Sequence, residues 1–240
     1  MGAIAETTTL PFSDRRNRES MRRGTGEAAN DWFLALRHAQ VPFHPNDRLM
    51  LLYGHQLVFR LGLYAAAERV FAGEPVVYLD GANTFDPFVI GRLARAHRRQ
   101  PRALLSMIHV ARAFTCHQME RLVSECLDAA LGRYQARIAI LSGFFETFYD
   151  QAIPEQEALR LFGRMMESVT RLTQQGYRVL CLCPPAPILT RTSRRGLEQL
   201  RGQADRVIRV QEEQGVVRLE EEGHESGQAW EVTRTALELR

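Results

Sequence analysis

Residues 49–87, LMLLYGHQLVFRLGLYAAAERVFAGEPVVYLDGANTFDP, and residues 106–119, SMIHVARAFTCHQM, decide how this chain folds. The apolar run 49–53 reads as a buried strand, Gly54 as a break, and 57–71 as a helix with apolar residues at helical spacing. A second apolar run, 76–80, ends in Asp80 and predicts another strand. A strand, a helix and a strand in succession predict parallel pairing with a right-handed crossover. The same alternation recurs later: 137–141 (RIAIL) is apolar, 155–175 is an amphipathic helix with Pro154 at its entrance and Gly176 past its end, and 177–182 is a strand. This pattern specifies an α/β domain.

The segment 109–122, HVARAFTCHQMERL, carries the most diagnostic text, in Ala111, Arg112, Ala113, Phe114, His117 and Gln118. With the VVYLD strand and the order of the elements around it, it resembles the ATP-binding half of a RecA/RadA-type recombinase over residues 45–220. The resemblance implies a RecA-like P-loop NTPase core: a mostly parallel sheet flanked by helices and closed by a C-terminal antiparallel hairpin. It also implies a nucleotide site that has lost its chemistry. A phosphate loop needs glycines, a lysine and a Ser/Thr after the first strand. Here Gly54 is followed by His55, Gln56, Leu57, Val58, Phe59 and Arg60, and all 31 Lys+Arg residues of the chain are arginines. Arg60 reads either as a substitute cation, with a planar fork in place of a point charge, or as an exposed helix residue. Aligned on Tyr78, Asp80, Thr84 and Phe85, the family's catalytic glutamate falls on Ala82. The family's metal-holding aspartate falls on Ser142, a weak neutral ligand for a hard cation. Phosphoryl transfer rests on positioning and charge stabilisation, so the expectation is a pseudo-ATPase with no cofactor and no metal.

Composition sets the remaining bounds. The chain has 240 residues, 45% of them hydrophobic, and a net charge of +3, which permits nucleic-acid contact without requiring it. Cys116, Cys126, Cys181 and Cys183 form no CxxC pair, and Cys181 and Cys183 share one strand face, as in a reduced core. The seven histidines show no ligand spacing. Neither a signal peptide nor an apolar span of membrane length is seen. These points favour a cytoplasmic protein, or a nuclear one in a eukaryote.

Residues 1–30 are polar and arginine-rich and read as a flexible basic arm, residues 31–220 as the core domain, and 221–240 as a tail of unknown structure. Asp31 is placed to cap a helix over 32–39, whose Phe33-Leu34-Ala35-Leu36 departs from the family's Phe-x-x-Ala polymerisation segment. Residues 42–47 (PFHPND) read as a linker. A helix over 89–99 carries Arg92, Arg95, Arg98 and Arg99, with Arg102 beyond it, and reads as a phosphate-binding group or a solvated face. Residues 103–110 are the third strand and 115–131 the next helix. The aromatic group Phe144, Phe145, Phe148 and Tyr149 fits base stacking or packing into protein. Residues 183–202 read as a loop in which Arg191, Arg194, Arg195 and Arg201 are the candidate DNA-binding residues. The segments 204–211 and 215–220 alternate like the strands of a hairpin.

By resemblance, the chain would be a non-catalytic recombinase paralogue, an accessory factor in DNA repair or recombination whose partners are DNA, an active RecA/RadA-type recombinase or another repair protein. The other readings are a scaffold whose cleft has become a protein-docking groove without DNA contact, and a slow enzyme that uses Arg60 and Asp80.

Overall fold

The computed structural model describes residues 32–36, 39–43, 46–148, 153–185, 191–223 and 229–233, all within the unit Asp31–Arg240. The basic run at 15–24 lies outside the described residues. Two short strands, β1 (Trp32–Leu36) and β2 (Ala39–Phe43), come first. They are followed by β3 (Leu49–Tyr53), α1 (Leu57–Phe71), β4 (Val76–Asp80), α2 (Pro87–Ala96), α3 (Pro101–Leu105) and β5 (Ile108–Arg112). A helix then runs as α4 (Cys116–Arg121), a π turn at Leu122–Cys126 and α5 (Leu127–Tyr134). The chain continues through β6 (Ile138–Ser142), a 3₁₀ turn (Glu146–Phe148), α6 (Glu155–Gln174), β7 (Arg178–Cys183), α7 (Arg191–Gln203), β8 (Arg206–Glu213), β9 (Val216–Glu222) and β10 (Ala229–Thr233).

Eight strands form one sheet in the order β10-β9-β8-β3-β7-β6-β4-β5. From β8 to β5 the pairing is parallel, and β9 runs antiparallel to both β8 and β10. The fold is α/β with a mostly parallel sheet and an antiparallel C-terminal hairpin, as the sequence pattern leads one to expect. Helices α1, α2 and α3 bury their apolar faces in one core, and α4 to α7 bury theirs in a second core on the other face. Crossovers that step toward β5 therefore lie on one face and those that return toward β8 on the other, as a single crossover hand requires. With both faces covered, β4 and β6 are buried at every position, which explains their unbroken apolar text. Helix α6 presents Leu161, Phe162, Met165, Met166, Val169 and Leu172 to its core. Burying each such side chain stabilises the fold by about 1.5–3 kcal/mol.

Four segments differ from the sequence reading. Where the sequence predicts a helix over 32–39, residues 32–36 form a strand and Ala39 begins another: β1 and β2 pair antiparallel, Trp32 opposite Phe43 and Leu36 opposite Ala39. A five-residue apolar run fits either period, and pairing decided it. The third strand begins five residues later than expected, because Pro101 occupies the first turn of α3, where its fixed φ favours a helix. The helix after β5 extends to Tyr134 and ends with Gln135 in the left-handed region, φ 54°. The segment read as a loop after β7 contains a helix of 13 residues, α7. Within the tail, β10 adds to the sheet edge, Trp230 opposite Leu219.

Candidate functional site

In an open parallel sheet, ligands bind beyond the carboxyl ends of strands whose following helices diverge to opposite faces. Here that condition holds beside β3 and β7 and again between β4 and β6. The sequence-predicted residues fall into these two places: Gly54, His55 and Gln56 follow β3, while Asp80 and Ala82 face Ser142 across the β4–β6 pair.

At the first place the chain passes from β3 into α1 through three residues. Gly54 has φ +115°, donates its N–H to the Cys183 carbonyl at 3.1 Å, and leaves no room for a side chain, since a Cβ would lie 2.6 Å from the Val210 carbonyl oxygen. Its backbone freedom is spent on a close approach to β8. His55 then closes the helix start. Its Nδ1 accepts the Leu57 N–H at 3.3 Å, and its Nε2 lies 3.4 Å from the Glu212 carboxylate. One neutral tautomer, protonated on Nε2, serves both contacts. The next two amides donate to His55 O (3.0 Å) and Gln56 O (3.2 Å). Helix N-termini bind anions through amides left without partners; at α1 the amides of Leu57, Val58 and Phe59 are all engaged. Arg60, one turn further on, is half-buried and its Nε is buried without a hydrogen bond.

At the second place Asp80 is fully buried. Its Oδ1 accepts the Thr84 N–H at 2.9 Å, its Oδ2 accepts the Phe85 N–H at 3.0 Å, and Arg112 Nε lies 3.4 Å from Oδ2. The carboxylate holds the loop 81–85 in place through these two amides. Ser142 Oγ lies 3.2 Å from Thr84 Oγ1. Gly143, φ +70°, abuts Ala82 so closely that a Cβ would fall 2.4 Å from the Ala82 nitrogen, and the Gly81 N–H donates to Ser142 O at 2.8 Å. Loop backbone thus packs on loop backbone where the sequence alignment puts a catalytic glutamate and a metal-holding aspartate. Among the described residues no three His, Cys, Asp or Glu side chains gather as a metal site.

No family model matches this chain. A search of curated proteins also finds no match. Its chemistry is therefore read from its own residues.

The candidate DNA-binding residues occupy α7. Arg194 and Arg195 are exposed, whereas Gly196 and Leu200 are buried on the opposite side of the helix. Arg201 is committed elsewhere: its Nη2 donates to Glu222 at 2.5 Å and its guanidinium lies 5.2 Å from the centre of the Tyr53 ring. The Tyr53 hydroxyl donates to the same carboxylate, and burial, followed by that bond, pushes its pKa up to about 12. The trio ties β3, α7 and β9 together beside an open groove of about 380 Å³ that includes Glu198 and Glu222. Arg191 opens the helix, and its side chain is not among those described.

The aromatic group is core. Phe144, Phe145 and Phe148 are buried, with ring centres 5.8, 5.4 and 6.5 Å from that of Phe162. Base stacking by these three is ruled out by their burial, while Tyr149 lies outside the described residues. Among them sits a group whose state the sequence did not reveal. Both carboxylate oxygens of Glu146 are buried with no well-aligned hydrogen bond, and burial, opposed by the nearby Glu146 and Phe145 backbone amides, pushes its pKa up to about 7. Burial also holds the nearby Cys183 thiol well above its usual range, with smaller contributions from Cys181 and Glu146. An acid flanked by aromatics on both sides, FFETF, is the sequence signal of this burial.

Proposed function

We propose that this chain is a non-catalytic, RecA-like accessory factor in DNA repair or recombination, acting through DNA, an active recombinase or both. The observation that carries the reading is the occupation of the cleft by the chain's own groups. His55 and two backbone carbonyls take up the first amides of α1, and Asp80 is bound to the loop it precedes. A protein that keeps the scaffold while its own side chains fill the catalytic end is suited to presenting surfaces rather than turning over nucleotide. The order of elements, from the first strand through the ARAF segment to the terminal hairpin, supports the same kinship. The compartment that fits this role is the cytoplasm, or the nucleus in a eukaryote; among the described residues no helix is long and apolar enough to cross a membrane.

A second reading, a protein-docking module without DNA contact, draws on the free edge of the sheet. Among the described residues strand β5 has no neighbour on its outer side, Val110 is exposed, and Phe114 just beyond it is 70% exposed. Large apolar groups beside an unpaired strand suit an added strand from another protein. The test adds the full chain to an active RecA/RadA-type recombinase assembling on single-stranded DNA, beside direct binding of the chain to that DNA. The first reading expects DNA binding or a changed assembly rate. Neither effect, at low salt and micromolar protein, would sink it.

A further inference from the structure

We propose that the arginine-bearing end of α2 and its turn into α3 form the nucleic-acid surface of this protein, binding the phosphate backbone without reading sequence. The proposal rests on the DNA reading above and gives it a place, at the end of the sheet opposite the filled cleft. Helix α2 leaves β4 at its carboxyl end and runs back toward the amino end of β5, so its last turn projects from the far end of the domain.

Arg95, Arg98, Arg99 and Arg102 are all exposed there, and none enters an ion pair among the described residues. Arg194 and Arg195 on α7 are exposed like those of the patch, whereas several other arginines are matched with carboxylates: Arg69 with Glu74, Arg164 with Glu120, Arg201 with Glu222 and Arg206 with Asp47. The sequence explains the difference, since no Asp or Glu occurs from Pro87 to Met119. The one acid that faces the turn from α1 is Glu68, half-buried and close enough to His97 to feel its charge. Unmatched positive charge on a fixed frame costs self-repulsion unless an anion relieves it.

Backbone conformation supplies a second, independent argument. Helix α2 ends with the Arg99 N–H donating to the Ala94 carbonyl at 2.8 Å and Arg98 at φ 54°. This is the left-handed position that glycine ordinarily fills at a helix C-terminus. An arginine held there is strained, and such strain tends to persist where a side chain is used.

The composition of the patch selects the ligand. Its exposed residues are arginines with Ala96, His97, Gln100 and Ala103 between them, and the exposed large apolar residues, Phe88, Val110, Phe114 and Val216, belong to other segments. Protein interfaces draw their energy from buried aromatic or aliphatic anchors, which this patch lacks. Guanidinium forks match phosphate oxygens in pairs. Arg92 and Arg95 lie one turn apart on α2, about 4.5 Å at 1.5 Å per residue, while Arg98 and Arg99 follow in the turn beyond its last residue, Ala96, and Arg102 lies in α3.

The experiment measures binding of the full chain to fluorescent single- and double-stranded DNA from 50 to 200 mM salt. Beside the wild type it tests the quadruple variant R95Q/R98Q/R99Q/R102Q, the α7 variant R191A/R194A/R195A, and R98G, which relieves the backbone and so folds at least as well as the parent. Each phosphate contact contributes about 0.9 to the slope of log affinity against log salt on duplex DNA. Losing four should flatten that slope by about 3 to 4 and weaken binding at 50 mM salt by more than tenfold. R98G should melt higher yet bind more weakly, with a slope flatter by about one, while the α7 variant stays near wild type. Unchanged binding by the quadruple variant and R98G, with loss in the α7 variant, would overturn the placement and leave the DNA reading standing. Failure of the wild type to bind either DNA would overturn both. Capture of poly-glutamate but not DNA, lost in the quadruple variant, would assign the patch to an acidic protein and overturn the proposal.

Discussion

The two ends of the parallel sheet are built on opposite principles. At the carboxyl end the groups that follow β3 and close β4 have partners within the chain: the Gly54 N–H on Cys183 O, the Leu57 amide on His55, the Asp80 oxygens on Thr84 and Phe85. At the amino end, around the turn from α2 to α3, Arg95, Arg98, Arg99 and Arg102 stand in solvent with no carboxylate paired to them among the described residues. A group whose hydrogen bonds are complete serves the fold; a charged group left open is available to a ligand. The contrast locates structure at the end where this architecture usually carries chemistry.

The strongest way to break the comparison is to place a methyl group where the loops meet. Gly143→Ala must push a Cβ against the Ala82 backbone at φ +70°, combining overpacking with backbone strain. A loss of about 3–5 kcal/mol follows, read from urea unfolding. Little change would mean the two loops part easily and the cleft is not closed. Asp80→Ala should cost about 2–4 kcal/mol, because two loop amides lose their acceptor. If Asp80 were kept for a reaction instead, its removal would leave stability nearly unchanged.

Glu146 sharpens the comparison, since it is a buried carboxyl-end acid with no side-chain partner among the described residues. Its folded pKa, about 7, lies above the ordinary 4.5. The acid is therefore easier to ionise in the unfolded chain. Its contribution to stability is greatest below pH 4.5, falls as the pH rises toward 7, and is flat beyond. Over that window the loss is about 3 kcal/mol at 1.36 kcal/mol per unit. Glu146→Gln should remove this fall, so urea midpoints of the two proteins diverge between pH 5 and 8. Parallel profiles would show that the carboxylate is hydrated or paired in solution. The smallest effect belongs to Arg98→Gly, which should raise stability by about 1 kcal/mol by removing a left-handed non-glycine residue, measured as a melting shift of a few degrees.

Much of this architecture is written in local text. The runs at β3, β4, β6 and β7 are apolar because both sheet faces are covered, and the β8–β9 turn is marked by Gln214 and Gly215, which take φ of 50° and 79°. What escaped reading depended on neighbours. Trp32–Leu36 is too short for its period to separate strand from helix, and Pro101 both ends one segment and begins another. The α7 sequence, dense in arginine around Gly196, reads as loop until Leu200 is seen to be buried. At the site, Gly54, Asp80, Ala82 and Ser142 were legible as positions, but their roles were not. That His55 bonds the start of α1, and that Glu146 lies among phenylalanines, follow only from the chain's path in space.

The proposed role predicts no nucleotide site where the chain's own groups engage the first amides of α1 and the Asp80 carboxylate. The most direct measurement is thermal unfolding of the full chain with and without 1 mM ATP and Mg²⁺, magnitudes chosen because a ligand at about 100 times its Kd adds about 2.7 kcal/mol to stability. The account predicts coincident melting curves. A rise of several degrees, lost in Arg60→Ala, would contradict it and restore a working nucleotide site.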